Sequence, residues 1–352
     1  MYPLLRPLLF RLEAERAHAV TLGLLRVGQR VPAVLSILKA LYSTRAKPVQ
    51  AFGLTFKNPV GLAAGYDKDA LAVKGLGALG FGHVEIGTVT PLPQAGNPKP
   101  RVFRLPEDEA VINRMGFPSR GATYVKNRLT PKPKVSPFEY LIRRKLYKSD
   151  VVLGVNLGKN KDTPNEQAVL DYLSLLQVLA PVADYLSINV SSPNTVGLRQ
   201  LQGRDALEGL LTQLHAQRKM EEAQLEKQIP LLVKLAPDLN DAELDDALDV
   251  ILRTGMDGVI ATNTTLARDE LRSRLAEESG GLSGRPLTVK SEAMLAKVVS
   301  RVDGRVPVVS VGGIMSPEDA KRRLEMGAIL VQVYTGLIYR GPGLVKKIVK
   351  AL

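Results

Sequence analysis

The sequence contains no cysteine. Disulfides, a cysteine-ligated iron–sulfur cluster and a cysteine nucleophile or base are therefore excluded. Histidine is almost missing as well: His18, His83 and His215 are the only three. That leaves too few imidazoles for a histidine-rich metal centre, so no metal is expected, and few candidates for a Ser-His-Asp triad. No uncharged apolar run approaches the roughly 18 residues that a membrane-spanning helix needs. No small-residue cleavage site follows a compact apolar core, so a secretory signal is not expected either. There is no repeat of fixed period.

Acidic charge is in short supply, with 35 Asp/Glu against 48 Lys/Arg and a net charge of +13. Residues 1–48 carry eight Lys/Arg against two Glu, residues 126–148 carry eight against Glu139 alone, and the rest of the chain is neutral. A broad nucleic-acid surface needs basic residues along its binding face, so no nucleic-acid partner is expected. A basic protein that binds nucleic acid through residues 126–148 stands as the non-enzymatic alternative.

The 352 residues, 45% of them hydrophobic, are enough for a barrel of about 250 residues and an appendage. Residues 1–44 read as amphipathic helices: Leu5, Leu8, Leu9 and Leu12 recur at helical spacing, then Ala17, Val20, Leu24 and Val27, and Pro32 opens a third set. Short basic amphipathic helices suit an anionic membrane surface; a lid packed on the main domain is the compatible plainer reading. Arg45–Pro48 is a linker, and residues 49–352 form the second domain. There, apolar strands are predicted at Val60–Ala63, His83–Thr88, Val152–Leu157, Tyr185–Val190, Leu231–Leu235, Gly258–Thr262, Val306–Val311 and Leu330–Tyr334, most of them separated by one helical pattern. Eight such strands favour a closed parallel (β/α)8 barrel, with an open doubly wound sheet as the alternative. Gly75-Leu-Gly-Ala-Leu-Gly80 matches a dinucleotide fingerprint in letters only. It closes a helix and precedes a strand, the reverse of the order that such a site needs.

The chemistry collects at the strand ends. Asp184–Arg199 begins as a strand and breaks at Ser191-Ser192-Pro193-Asn194. Asn189 thus ends the strand, and Ser192 and Asn194 lie on the loop beyond, where parallel α/β folds gather ligand contacts. Alone this reads first as a satisfied Asx/Ser turn, since such turns are common. The other ends repeat the pattern: Ala64, Gly65 and Lys68; Thr88; Asn156; Thr262, Asn263 and Thr264. Lys234 sits inside an apolar strand, a costly place without an anionic partner. Gly284, Gly313 and Gly336 supply backbone N–H groups after the last strands, where barrels commonly bind phosphate. Together these describe a phosphate clamp, an inward lysine and several amides around a small planar ligand.

Asn113-Arg-Met-Gly-Phe117, Ser191-Ser-Pro-Asn194, Ala261-Thr-Asn-Thr-Thr265 and Gly281-Leu-Ser-Gly-Arg-Pro286 resemble the dihydroorotate dehydrogenases, over Tyr2 to about Leu344. The Ser192 loop, the N-terminal helices and the lack of cysteine resemble the quinone-linked, membrane-associated branch. The resemblance implies a (β/α)8 barrel holding FMN. It implies oxidation of dihydroorotate to orotate in pyrimidine synthesis, with a respiratory quinone as acceptor, by a monomer on the cytoplasmic face of the cell membrane. A barrel relative using fumarate or NAD is the alternative.

Site residues carry over by motif. Ser192 is similar to the family's base that takes the C5 proton while hydride leaves C6 for flavin N5, and Phe117 and Thr195 match residues lining the proton's exit. Lys68, Asn113, Asn189, Asn194, Asn263 and Thr264 match orotate ligands, with Arg114, Met115 and Gly116 in the same motif. FMN contacts are implied for Ala64, Gly65, Tyr66, Asp67, Lys68 and Thr88; for Asn156, Asn189, Lys234 and Thr262; and for Gly284, Gly313, Tyr334 and Thr335. His18 and Arg104 fall where the family lines its quinone path. Tyr66 and Pro118-Ser119-Arg120 depart from the family pattern, as does the insert at about Thr130–Tyr147, expected as a solvated loop on the face opposite the site.

Overall fold

The computed structural model describes residues 2–130 and 151–352. The basic insert falls almost wholly outside the described residues. Thirteen strands are described, and eight of them close a parallel barrel. In barrel order these are β3 (Val60–Leu62), β4 (His83–Val89), β7 (Val152–Leu157), β8 (Tyr185–Asn189), β9 (Leu231–Leu235), β10 (Gly258–Ala261), β12 (Val308–Val311) and β13 (Leu330–Val333), which pairs back onto β3. These are the eight strands predicted, with no end displaced by more than two residues. Nearly every strand residue is buried, because helices cover the outside and side chains fill the inside.

The helices α4 (Val73–Ala78), α6 (Ala168–Leu179), α7 (Arg204–Leu225), α8 (Asp241–Arg253), α9 (Thr288–Val302) and α10 (Pro317–Glu325) cross between strands, with α5 (Ala122–Leu129) before β7 and α11 (Thr335–Arg340) and α12 (Gly343–Ala351) at the end. Their starts follow local chemistry. Asn240 and Glu243 form a reciprocal capping box on α8, and Ser316 caps α10 ahead of Pro317. The helical pattern after β3 is confined to α4 because Ala70 is left-handed and the Asp67 carboxylate takes the N–H groups of Leu71 and Ala72. The Gly75–Gly80 stretch lies in and just after α4, ahead of β4, as the rejection of a dinucleotide site requires.

Two small sheets were not predicted. The hairpin β1 (Val49–Ala51) and β2 (Leu54–Phe56) closes the barrel's N-terminal end, with Phe56 edge-on to His83 at 5.4 Å. At the other end β5 (Val102–Leu105), β6 (Ala110–Asn113) and β11 (Gly281–Gly284) form an antiparallel sheet whose register sets Asn113 beside Gly281 and Ala110 beside Gly284. This sheet carries loop residues from two distant inserts to one place above the barrel mouth.

Of the N-terminal helices, α1 (Tyr2–Arg11) and α2 (Ala14–Gly28) are docked on that end, and α3 (Pro32–Tyr42) packs against α4 and α12 on the outside of the barrel. Arg104 of β5 donates to the carbonyls of Leu9, Phe10 and Leu12, and its guanidinium lies 4.6 Å from the Phe10 ring. Arg101 makes a two-point pair with Glu15 at 2.7 and 3.1 Å. The outward faces stay apolar: Leu4 and Leu24 are 79% and 69% exposed. Among the described residues no single helix is long and apolar enough to cross a membrane; α2 and α3 pass together by length and composition but meet at a 113° bend.

Candidate active site

A cavity with about 980 Å³ of unfilled space, its mouth included, opens at the C-terminal ends of the barrel strands. Its contents divide into three regions.

One end is backbone. Gly284, Gly312, Gly313, Ile314 and Gly336 line it. Among the described residues the N–H groups of Gly313 and Ile314 have no hydrogen-bond partner. A side chain on Gly313 would put its Cβ 2.4 Å from Thr288 Cα, and one on Gly284 would meet the Glu109 carbonyl at 2.4 Å. Both glycines have positive φ, so close approach and conformation each demand glycine. Ser283 and Thr335 share a hydroxyl contact at 2.9 Å on the same wall.

The middle is a polar floor. Thr88, Asn189, Lys234, Thr262 and Gln332 face the cavity from five strands or their ends. Beneath them Glu85 is fully buried and accepts from Tyr185, Ser187, Asn156 and Gln332 at 3.0–3.1 Å. A carboxylate only accepts, so it fixes the Asn156 amide nitrogen downward and leaves Oδ1 up, taking the Thr88 hydroxyl at 2.6 Å and Asn189 Nδ2 at 3.0 Å. Burial pulls the Lys234 ammonium below the usual lysine range, and the Glu85 charge opposes that shift. No ion pair or side-chain hydrogen bond engages Lys234 among the described residues, so its charge faces the cavity.

The third region is rich in carboxamides. Asn113, Asn194 and Asn263 line it with Thr264, Ser192 and Lys68. Asn194 Nδ2 donates to Asn113 Oδ1 at 3.1 Å, and Asn194 Oδ1 is buried without a partner. Asn263 Nδ2 reaches Asn189 Oδ1 at 3.2 Å and Ser191 Oγ at 3.0 Å. Ser192 is buried, and its Oγ accepts from the Asn194 N–H at 3.3 Å. Lys68 donates to the Gly65 carbonyl, and burial lowers its pKa to about 8 against the opposing charge of Asp69. Phe117 packs beside them at positive φ. No histidine lines the cavity.

Ala64, Gly65, Met115, Gly116 and Tyr334 complete the expected residues that reach the lining. Others stand behind it or away. Asp67 is spent on two backbone N–H groups, and Asn156 is a support below Thr88 and Asn189. Arg114 pairs with Glu278 at 2.6 Å, and Thr195 is buried next to the Ser192 loop. His18 meets Tyr66 edge-on at 4.8 Å, and Tyr66 meets Tyr334 at 6.1 Å, so an aromatic bridge runs from α2 to the cavity wall. Burial holds His18 down to about 4, hence neutral near pH 7. Arg104 caps the end of α1 instead of pointing at the cavity. Ser119 supplies the loop bonding beyond Phe117, exchanging two backbone bonds with Gln94 and capping Thr90 and Gly121.

Glu85, Gln332 and Ser283 were not singled out from the sequence. The signal that exposed Lys234, a charged or amide side chain inside an apolar strand, is equally present in Val84-Glu85-Ile86 and Val331-Gln332-Val333. Ser283 had no such signal, since only the small sheet brings it to the wall.

A family model described as "Dihydroorotate dehydrogenase" matches residues 47–352. The chain is 50% identical to the "Dihydroorotate dehydrogenase (quinone)" of Halorhodospira halophila, with all of this chain and 97% of that protein aligned. It is 48% identical to the protein of the same name from Idiomarina loihiensis, over the full length of both. Among solved structures, the ligand-free dihydroorotate dehydrogenase of Eimeria tenella superposes with a TM-score of 0.85 at 42% identity, covering 96% of this chain and 93% of that one. The same protein in complex with ferulenol gives 0.84 at 41% identity, covering 96% and 90%.

Proposed function

The chain belongs to the dihydroorotate dehydrogenase family, and from that premise we propose how its cavity works. The protein is an oxidoreductase that converts dihydroorotate to orotate, a step of pyrimidine synthesis, with a quinone as acceptor. The observation that carries the assignment to this cavity is its division: unpartnered backbone N–H groups at one end, and a cluster of carboxamides with Ser192 and Lys68 at the other. The first end fits the phosphate of FMN, the Lys234 ammonium on the floor fits the electron-rich edge of a reduced flavin, and the carboxamides fit a substrate with two carbonyls and two N–H groups. FMN supplies the hydride-accepting ring. The purified protein should be yellow and release FMN on heating; a colourless protein that gains neither colour nor activity with added FMN would refute the reading.

Each side chain then has a task. Lys68 pairs with the substrate carboxylate. Asn113, Asn194 and Asn263 orient the ring by matched donors and acceptors, and the unpartnered Asn194 Oδ1 is available for a substrate N–H. Ser192 Oγ takes the C5 proton, with Phe117 and Thr195 flanking its route outward. Lys234 stabilises negative charge on the floor. The α1–α3 helices bring the protein to the cytoplasmic face of the membrane as a peripheral monomer. The apolar acceptor approaches along His18 and Tyr66, with Arg104 holding α1 in place beside that path.

Lys68 makes the site pH-sensitive. An ammonium whose pKa is lowered to about 8 is charged at neutral pH and loses its charge as pH rises through that value. Orotate should therefore bind tightest below pH 8 and progressively more weakly above it. Titration of the flavin absorbance with orotate from pH 6 to pH 10 measures this; affinity that is flat across the range would remove Lys68 from carboxylate recognition.

A further inference from the structure

Arg323 is fully buried on α10, outside the cavity, and nothing in the reaction uses it. Its guanidinium is almost saturated with acceptors. Nη2 donates to the carbonyls of Gly312 at 3.1 Å and Thr288 at 3.0 Å and to Ser291 Oγ at 2.8 Å. Nη1 reaches Ser310 Oγ at 3.3 Å and Nε reaches Glu292 at 3.2 Å. Thr288 Oγ1 in turn donates to the Gly313 carbonyl at 2.9 Å. Across a trans peptide the carbonyl and the following N–H point in opposite directions. Drawing the Gly312 carbonyl back toward Arg323 therefore turns the Gly313 N–H forward, and holding the Gly313 carbonyl at Thr288 does the same for the Ile314 N–H. Neither of these N–H groups has a partner among the described residues, and both residues line the cavity.

We propose that Arg323 is the positioning residue of the phosphate end: it aims the Gly313 and Ile314 N–H groups at a phosphate monoester and places a positive charge behind them. This rests on the FMN reading of the cavity. Glu292, the carboxylate on Nε, offsets part of that charge from the far side. An arginine with its five donors in a planar fork can hold the Gly312 and Thr288 carbonyls and two hydroxyls at once, which a point-charge ammonium cannot.

The test compares FMN with riboflavin, which carries the same ring without the phosphate, by fluorescence titration of the full-length chain freed of flavin. Arg323→Met should weaken FMN on the order of tenfold to a hundredfold, the scale of a lost charged hydrogen bond, and leave riboflavin affinity unchanged. Arg323→Lys should recover part of the loss. Glu292→Gln, at a partly exposed position, should tighten FMN and not riboflavin; it and Arg323→Lys decide the matter if Arg323→Met does not fold. Equal weakening of both flavins, or weaker FMN binding in Glu292→Gln, would overturn the role of Arg323. A wild-type chain that binds neither flavin would refute the FMN reading itself.

Discussion

Ser192→Ala is expected to slow reduction of the bound flavin by dihydroorotate about 100-fold or more, the usual scale of a lost general base. Flavin and orotate should bind as before. The separation follows from geometry. Ser192 Oγ accepts one weak bond, from the Asn194 N–H at 3.3 Å, so its removal leaves the amide cluster intact. Asn194 is held by its own bond to Asn113, and Asn263 by Asn189 and Ser191. The titratable groups in the lining are Lys68, Lys234 and Tyr334. Burial raises the tyrosine's pKa, and the two lysines are assigned to anions, so none takes over the proton. Ser192→Cys should regain part of the rate as pH rises, because a thiol ionises more readily than an alcohol. Stopped-flow reduction is the measurement, and an unchanged rate in Ser192→Ala would take Ser192 out of the chemistry.

The second large effect concerns the N-terminal helices. Replacing Leu4, Leu8, Leu24 and Val27 together by Gln should abolish binding to anionic vesicles and long-chain quinone turnover, and leave flavin reduction by dihydroorotate untouched. All four side chains are more than half exposed, so the change removes little packing within the protein. Each buried apolar side chain is worth about 1.5–3 kcal/mol, and four together amount to well over a hundredfold in membrane affinity. Arg6, Arg11, Arg16, Arg26 and Arg30 add about 1 kcal/mol each near an anionic surface, less with salt. Substitution is a cleaner test than deletion. Removing residues 1–44 would also strip Arg101 of Glu15 and Arg104 of three carbonyls. A small soluble dye should reoxidise the flavin at an unchanged rate in the variant. If the segment only packs on the barrel, the four exposed positions are neutral, and full quinone turnover in the variant would show it.

Much of this was legible in the chain because barrel strands buried on both faces read as apolar runs, and the residues that end them announce themselves. Asn189, Asn263, Thr88 and Lys234 are visible as polar interruptions at fixed places. What was not legible depends on contacts between distant segments. The sheet of β5, β6 and β11 joins residues more than 160 apart, and its strands are too short to show a period. Asp67 and Asn156 carry ligand-like side chains, yet the first is consumed by α4 and the second by the Glu85 network. The support shell follows the same logic. Arg323 is one of two adjacent arginines, and only the fold distinguishes the partly exposed Arg322 from its fully buried neighbour.

A two-step mixing experiment with the wild-type protein tests most directly whether one bound flavin passes electrons from dihydroorotate to quinone. Anaerobic addition of dihydroorotate should bleach the yellow colour of the bound flavin and yield orotate in equal amount, and subsequent addition of a quinone in vesicles should restore the colour. A flavin that dihydroorotate leaves oxidised, in protein shown to be folded, would contradict that transfer.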